Sequence, residues 1–390
     1  MPPLDDALLD DERALEAADS AGVLRSLAGA GAQVRRAVEL TGESLPPTWD
    51  SFERPRAVLV AARGGAAVVA AALAAVMGAA GPVPVVPLTG ATLPAWVGAL
   101  DLVVALSLSG RAEGAVAVAA EAGRRGAALL TVGGTADSPL AQVSARFRGA
   151  HVRLPEPGVE ATSAPTSRTA MWSLLTPPLV VSARLGLLPA TGEPGVHGGQ
   201  HAGEEELQAI AATLDAEAES CRVSSEAFVN PAKTIALALD GTVPVVLGDS
   251  PLGAVAARRA ASVLARTARV PALHGGLPDD AGDVVATFGG PFAAGDSDLF
   301  ADPFADGPLP ARLHLLLLSL GDGIGMSAVL EIAERSAVRV SEVVGEQETP
   351  LRSFAQVVAR TDFAATYLAL ATRLDPARSP HVADLREALR

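Results

Sequence analysis

Apolar positions fall along this chain in one rhythm, run through twice: short unbroken apolar runs alternate with longer stretches of helical period. Ahead of the first pass, Leu15, Val23, Leu24, Leu27, Val34 and Val38 recur at three- and four-residue spacings, which predicts helices over residues 4–41. RAVLVAA (56–62) then reads as a strand ending in Arg63-Gly64-Gly65, with a helix after it over 66–78. Strands follow at 83–88, 101–107, 127–133 and 150–155, separated by helices over 112–124 and in SPLAQVSARF. An apolar helix lies within 161–188, and a polar stretch, 190–206, reads as a linker. The second pass places strands at 242–248, 270–274, 283–288, 312–320 and 338–344, helices over 250–266 and 325–337, and a long helix over 350–373. The acidic, Gly/Pro-rich stretch 289–310 reads as a surface loop.

Apolar strands alternating with helices predict parallel sheets covered on both faces. The expected fold is therefore α/β, with two doubly wound, three-layer sandwiches of flavodoxin-like form. The expected domain map is a helical segment at 1–45, a first domain at 46–190, a linker at 191–225, a second domain at 226–348 and a helical segment at 349–390.

Apolar residues make up 49% of the 390 residues but aromatics only 3%, so the cores must be aliphatic. A formal charge of −14 argues against nucleic acid or an anionic membrane surface as the main partner. Lysine occurs once, at Lys233, and cysteine once, at Cys221, which leaves no disulfide framework and one lysine for any lysine-dependent chemistry. The acidic N-terminus does not read as a signal peptide, and AAVVAAALAAVMGAA is too short for a membrane span. A cytoplasmic protein without cofactor or metal is expected. His197 and His201 have an i, i+4 spacing, but Gly198-Gly199 between them disfavours the helix a zinc pair would need. His151, His314, His381, Tyr367 and Trp172 read as structural residues.

One stretch carries chemistry. LSLSGRAEGAVAVAAEAGRRG (106–126) takes a buried strand through two serines and a glycine into a helix. A helix start exposes unpaired N–H groups and a partial positive charge, and serine hydroxyls add donors, so the turn suits an anion. A serine cap on an ordinary helix is the alternative.

The ordered set resembles the sugar isomerase (SIS) family of phosphosugar binders, and within it the bifunctional phosphoglucose/phosphomannose isomerases with two SIS domains. The matching pieces are a strand ending in Gly64-Gly65, a strand ending in Ser107-Leu108-Ser109-Gly110, and Arg168 in a Pro-x-x-Arg loop. Asn230-Pro231-Ala232-Lys233 and Gly-Asp-Ser-Pro-Leu-Gly (248–253) complete it. The resemblance implies that Ser107, Ser109 and Gly110 hold a sugar phosphate, that Arg168 pairs with it, and that the chain works as a homodimer.

The departures matter as much. The family's Gly-x-Gly-Gly-Ser turn is Ala62-Arg63-Gly64-Gly65-Ala66 here, and its threonine is Ala112. Arg63 and Arg111 stand at those turns, either restoring the site with charge or lying in solvent. The family's glutamate base aligns with Arg266, whose guanidinium cannot act as a base near neutral pH. Its histidine aligns with Gly282 and its late lysine with Arg386. Arg63, Arg111, Arg168, Arg266 and Arg269 are expected to share one anionic-ligand cleft. The reading is a phosphosugar-binding SIS protein with impaired or altered chemistry, serving as a binding or accessory protein. The alternative is an active glucose-6-phosphate/mannose-6-phosphate isomerase whose acid–base work has passed to residues such as His274 and Asp283. A third possibility is a structural partner with no ligand.

Overall fold

Val-Leu-Val-Ala-Ala and Leu-Val-Val-Ala-Leu, two runs without a polar residue, lie side by side as parallel strands in the computed structural model, which describes residues 4–47, 49, 52–154, 166, 168–188, 200–293, 311–321, 323 and 325–388. The chain divides into two units, residues 29–215 and residues 1–28 together with 216–390. It begins with three short helices, α1 (Asp6–Asp10), α2 (Glu12–Ala18) and α3 (Val23–Ala28). Asp5 and Asp11 cap the first two by accepting from Leu8 and Ala14 N–H groups.

The unit 29–215 opens with α4 (Ala30–Ser44) and then alternates: β1 (Val58–Ala62), α5 (Ala67–Met77), β2 (Val85–Leu88), β3 (Leu102–Leu106), α6 (Glu113–Arg124), β4 (Ala128–Val132), α7 (Pro139–Arg146) and β5 (Ala150–Val152). The helix α8 (Met171–Arg184) follows, and most of α9 (Gln200–Ser220). The strands form one parallel sheet in the order β2-β1-β3-β4-β5. Leu59, Ala61, Val103, Ala105 and Leu129 turn to one face, onto Val118, Ala119 and Ala122 of α6 and Leu140 of α7. Val58, Val60, Leu102, Val104 and Leu130 alternate with them and are also buried, as strands covered on both faces require. At the N-terminal end of β3, Asp101 is fully buried and takes a bidentate pair from Arg56, at 3.0 and 2.7 Å.

In the other unit come α10 (Pro231–Leu239), β6 (Thr242–Gly248), α11 (Pro251–Val263), β7 (Leu273–Gly276), α12 (Ala281–Ala286), β8 (Arg312–Ser319), α13 (Met326–Arg335), β9 (Arg339–Val344), α14 (Pro350–Ala371) and α15 (Pro380–Ala388). Its sheet is parallel, in the order β7-β6-β8-β9. Val245, Leu247, Leu315 and Leu317 pack on Val284, Phe288, Val329 and Ala333, while α10 and α11 each pack on α14. Arg259 of α11 holds Asp362 of α14 in a buried bidentate pair at 3.0 and 2.7 Å. Arg360 grips Glu217 in the same manner.

Both sheets are thus parallel and helix-covered, as the pattern predicts. Two elements differ. Residues 283–288, read as a strand, form α12 and a 3-10 turn (Thr287–Gly289), so the second sheet has four strands. Val284 alone turns fully inward in α12, and Asp283 sits in its first turn, where a carboxylate is favoured; a run this short has no period to separate helix from strand. Residues 200–220, read largely as linker, form the helix α9. The loop read over 289–310 lies outside the described residues beyond position 293, apart from its neighbour at 311. No described helix is long and apolar enough to cross a membrane.

The lone lysine is a structural residue. Lys233 is fully buried, and its Nζ donates to the carbonyls of Leu9 (2.5 Å), Val223 (2.8 Å) and Ser225 (2.6 Å). Three bonds use all the donors of an ammonium. Around it, Tyr367 Oη donates to the Cys221 carbonyl at 2.6 Å and Asn230 Nδ2 to that of Arg222 at 3.0 Å. The chain leaving α9 therefore has its carbonyls satisfied by side chains. Burial pushes the Lys233 ammonium below the ordinary lysine range, while the carboxylates of Asp10 and Glu12 pull it back up.

Lys233→Met keeps the volume and strands these buried carbonyls; urea unfolding should show a loss of roughly 3 kcal/mol or more. A loss under about 1 kcal/mol would mean that the bonds are not holding the unit. His314 offers a second check. It is 3% exposed on β8, its Nε2 lies 2.8 Å from Ser341 Oγ, and burial, then Arg339, lower it from 6.5 to about 4. The unfolded chain therefore binds the extra proton first, and stability should fall as pH drops from about 6.5 towards 4, by about 3 kcal/mol. His314→Asn should remove that part of the acid sensitivity in melts taken at successive pH values.

Candidate anion-binding site

In a sheet of order β2-β1-β3-β4-β5 the connections diverge between β1 and β3, opening a crevice at their C-terminal ends. Ala62 and Leu106 are register partners there, so the turns that follow them stand side by side. The first turn runs through Arg63 into a 3-10 turn, Gly64–Ala66, and then α5. The second runs through Ser107-Leu108-Ser109-Gly110-Arg111 into α6. The helix α8, which begins just after Arg168, packs on the Gly64–Ala66 turn and on α5.

The serines first organise their own turn. Ser107 is 4% exposed, and its Oγ accepts from the Ala112 N–H at 3.2 Å; Ser109 is exposed, and its Oγ accepts from the Arg111 N–H at 3.3 Å. Each hydroxyl keeps its own proton to donate. Gly110 has φ +65, and a Cβ there would stand 2.5 Å from Ser138 Oγ, the cap of α7; its N–H donates to the Ser107 carbonyl at 2.8 Å. Packing as well as backbone conformation therefore demands this glycine. Gly64 has φ +59 with open space about it. Among the described residues, the N–H groups of Gly64, Gly65, Leu108 and Ser109 have no acceptor. With the first-turn N–H groups of α6 beside them, the crevice presents several unspent donors and one helix terminus.

The two arginines of these turns behave differently. Arg63 lies over the start of α6: a Cβ on Gly114 would meet its Cδ at 3.0 Å and its Nη1 at 3.1 Å. Its exposed guanidinium has room beside the crevice because position 114 is glycine. Arg111 is exposed too, but within electrostatic reach of Asp137, whose carboxyl is lowered by the Thr135 hydroxyl, by its own N–H and, last, by Arg111. Glu113 adds an acidic side chain to the first turn of α6. Arg168 sits in the turn before α8, its N–H bonded to Thr166 Oγ1 at 3.3 Å.

The remaining sequence candidates belong to the other unit. Arg266 lies on a π turn (Leu264–Ala268) extending α11. Arg269, at φ +60, donates to the carbonyls of Thr267, Asp375 and Arg378, and so holds the chain ahead of α15. His274 is exposed on β7, with burial and then Arg258 lowering its pKa and Asp280 raising it. Asp283 is exposed on α12, and the two share no hydrogen bond among the described residues. His197 and the side chains of His201 and Arg386 lie outside the described residues. No group of three or more metal-ligating side chains assembles among the described residues. Asp249, which sequence reading takes only as part of Gly-Asp-Ser-Pro-Leu-Gly, and Ser319, which it passes over, bond across the ends of β6 and β8. The Asp in Gly-Asp-Ser was their one visible signal.

This topology, two parallel sheets with helices about them, is the α/β fold that solved phosphosugar isomerase structures share. Residues 228–389 match the model of the bacterial phospho-glucose isomerase C-terminal SIS domain, and the chain as a whole resembles the SIS phosphosugar isomerases in fold. Solved structures share the architecture. A hypothetical protein from Thermus thermophilus superposes with a TM-score of 0.65 at 14% identity, over 100% of this chain and 98% of its own. A glucose-6-phosphate isomerase like protein from the same organism gives 0.53 at 18% identity, over 96% and 99%. The C-terminal domain of glucosamine-fructose-6-phosphate aminotransferase from Francisella tularensis gives 0.59 at 13%, over 90% and 96%. No curated protein sequence matches the chain at a significant level.

The glycines give a direct check on this geometry. Gly110→Ala should cost roughly 2–4 kcal/mol in chemical denaturation, from the Ser138 clash and the left-handed backbone together. Gly64→Ala meets no atoms and should cost about 1 kcal/mol, for the backbone alone. Equal costs would contradict the packing of Gly110 against α7.

Proposed function

We propose that the unit 29–215 binds the phosphate of a sugar phosphate at the C-terminal ends of β1 and β3. The observation that carries this reading is the set of unspent N–H groups of Gly64, Gly65, Leu108 and Ser109 in the two turns at one switch point. The Ser107 and Ser109 hydroxyls add donors, and Arg63 adds positive charge in place of the hydroxyls that the family's turns carry where Ala66 and Ala112 stand here. Arg168 stands in the turn before α8, and Arg111 shares its charge with Asp137. The chain thus works as a phosphosugar-binding SIS protein, with the isomerase chemistry impaired or altered. Arg266 stands where the family's base is expected, and His274 and Asp283 are not linked to each other. With this reading go a cytoplasmic location and a homodimer, as the resemblance to phosphoglucose isomerase implies.

The test pairs two measurements on the full chain. Thermal-shift titration with glucose 6-phosphate and mannose 6-phosphate should raise the melting temperature, and Arg63→Ala or Ser109→Ala should weaken the apparent affinity about tenfold. A coupled assay for fructose 6-phosphate should show no turnover. Turnover abolished by Asp283→Asn would instead establish an isomerase with displaced groups. No shift with either sugar phosphate would remove the binding reading.

A further inference from the structure

The two sheets repeat one arrangement with the charge reversed. In the first, Ala62 and Leu106 are the last paired residues of neighbouring strands, and Arg63 and Ser107 come next. In the second, Gly248 pairs with Leu318, and the residues that come next are Asp249 and Ser319. The same position after the first strand of each sheet thus holds a cation in one unit and an anion in the other.

Asp249 is not a surface carboxylate. It is 4% exposed, and one oxygen, Oδ2, accepts from Ser319 Oγ at 2.9 Å, the Leu320 N–H at 2.8 Å and the Gly321 N–H at 3.2 Å. The other, Oδ1, has no hydrogen-bond partner among the described residues. It faces the first turn of α11, where a Cβ on Gly253 would stand 2.8 Å from it. The helix comes this close because Gly248 has no side chain: a Cβ there would fall 2.0 Å from the Gly253 carbonyl carbon. Gly323 lies against the Asp249 backbone, with a would-be Cβ 2.4 Å from the Cβ of Asp249. A hydroxyl, two backbone N–H groups and a helix N-terminus around a buried negative group are the parts of an anion site. A cation is disfavoured there, since donors and the positive end of the helix point inward.

We propose that the C-terminal ends of β6 and β8 form a second anion crevice, permanently filled by the chain's own Asp249 carboxylate, so that the unit containing residues 216–390 takes no external anion. Its occupant belongs to the small carboxylate or phosphate class, and removing the side-chain carboxylate opens the crevice to such an ion. The inference rests on the second sheet alone and holds whether or not the first binds a sugar phosphate.

The experiment compares the full chain with Asp249→Ala and Asp249→Asn in melts with formate, inorganic phosphate or chloride at matched ionic strength. Asp249→Ala should melt lower, and formate or phosphate should raise its midpoint by about 3–6 °C more than they raise that of the unsubstituted chain, with chloride ineffective. Asp249→Asn, which fills the space without the charge, should be destabilised and should not respond. If Asp249→Ala does not fold in plain buffer, recovery of folded protein by refolding in formate, and not in chloride, is the same result. Equal responses to all three salts, or an Asp249→Asn chain as stable as the parent, would overturn the proposal. The phosphate response of the unsubstituted chain reports on the first sheet separately, so failure of one site is distinguishable from failure of the other.

Discussion

A single buried ammonium sets the frame of the unit that contains residues 216–390. Lys233 gathers carbonyls from α1 and from the chain leaving α9, and these belong to backbone segments that no helix or sheet ladder could satisfy. Its neighbours complete the accounting: Asn230 caps α10 through its Oδ1 while its Nδ2 reaches back to Arg222, and Tyr367 brings α14 onto Cys221. In a protein this poor in aromatic residues, that cluster supplies the directional interactions that an aliphatic core lacks. Burial also pushes the Cys221 thiol far up, with the adjacent Glu217 adding to the effect, so the sulfur is an inert packing group.

Parallel sheets bring all their strand ends to one edge, and what the chain places after the first strand then decides what that edge attracts. Arg63 follows β1 and lies over a helix start that keeps a glycine for it. Asp249 follows β6 and is folded into the edge it would otherwise expose. At equivalent positions after the first strand, the two sheets therefore differ in the sign of one residue, on scaffolds that share the order of their first four strands.

Most of the scaffold was legible because β1 and β3 are uninterrupted apolar runs, and β6 and β8 nearly so, each short and bounded by turn residues as buried strands are. Residues 283–288 were not legible, since a run of this length fits either period and its first-turn aspartate favoured the helix. The serines of the second turn announced themselves by name. The Gly64, Gly65, Leu108 and Ser109 N–H groups beside them did not, because backbone donors carry no letter in the sequence. Lys233 was visible as an unusual residue, yet its role depends on a carbonyl 224 positions away. Asp249 was likewise visible as part of a motif, but its partners come from the end of a strand some 70 positions later.

The unit that Lys233 frames is split in sequence, its first 28 residues separated from the rest by a whole second unit. During synthesis α1 emerges early with nothing to hold it: the Leu9 carbonyl waits for Lys233, and the Asp5 N–H waits for the carbonyl of Ala371. Residues 29–215, which form their own sheet and core, are complete before either partner exists. A segment made before an entire α/β layer is thus held by partners made after it, and it stays unengaged while that layer assembles between them.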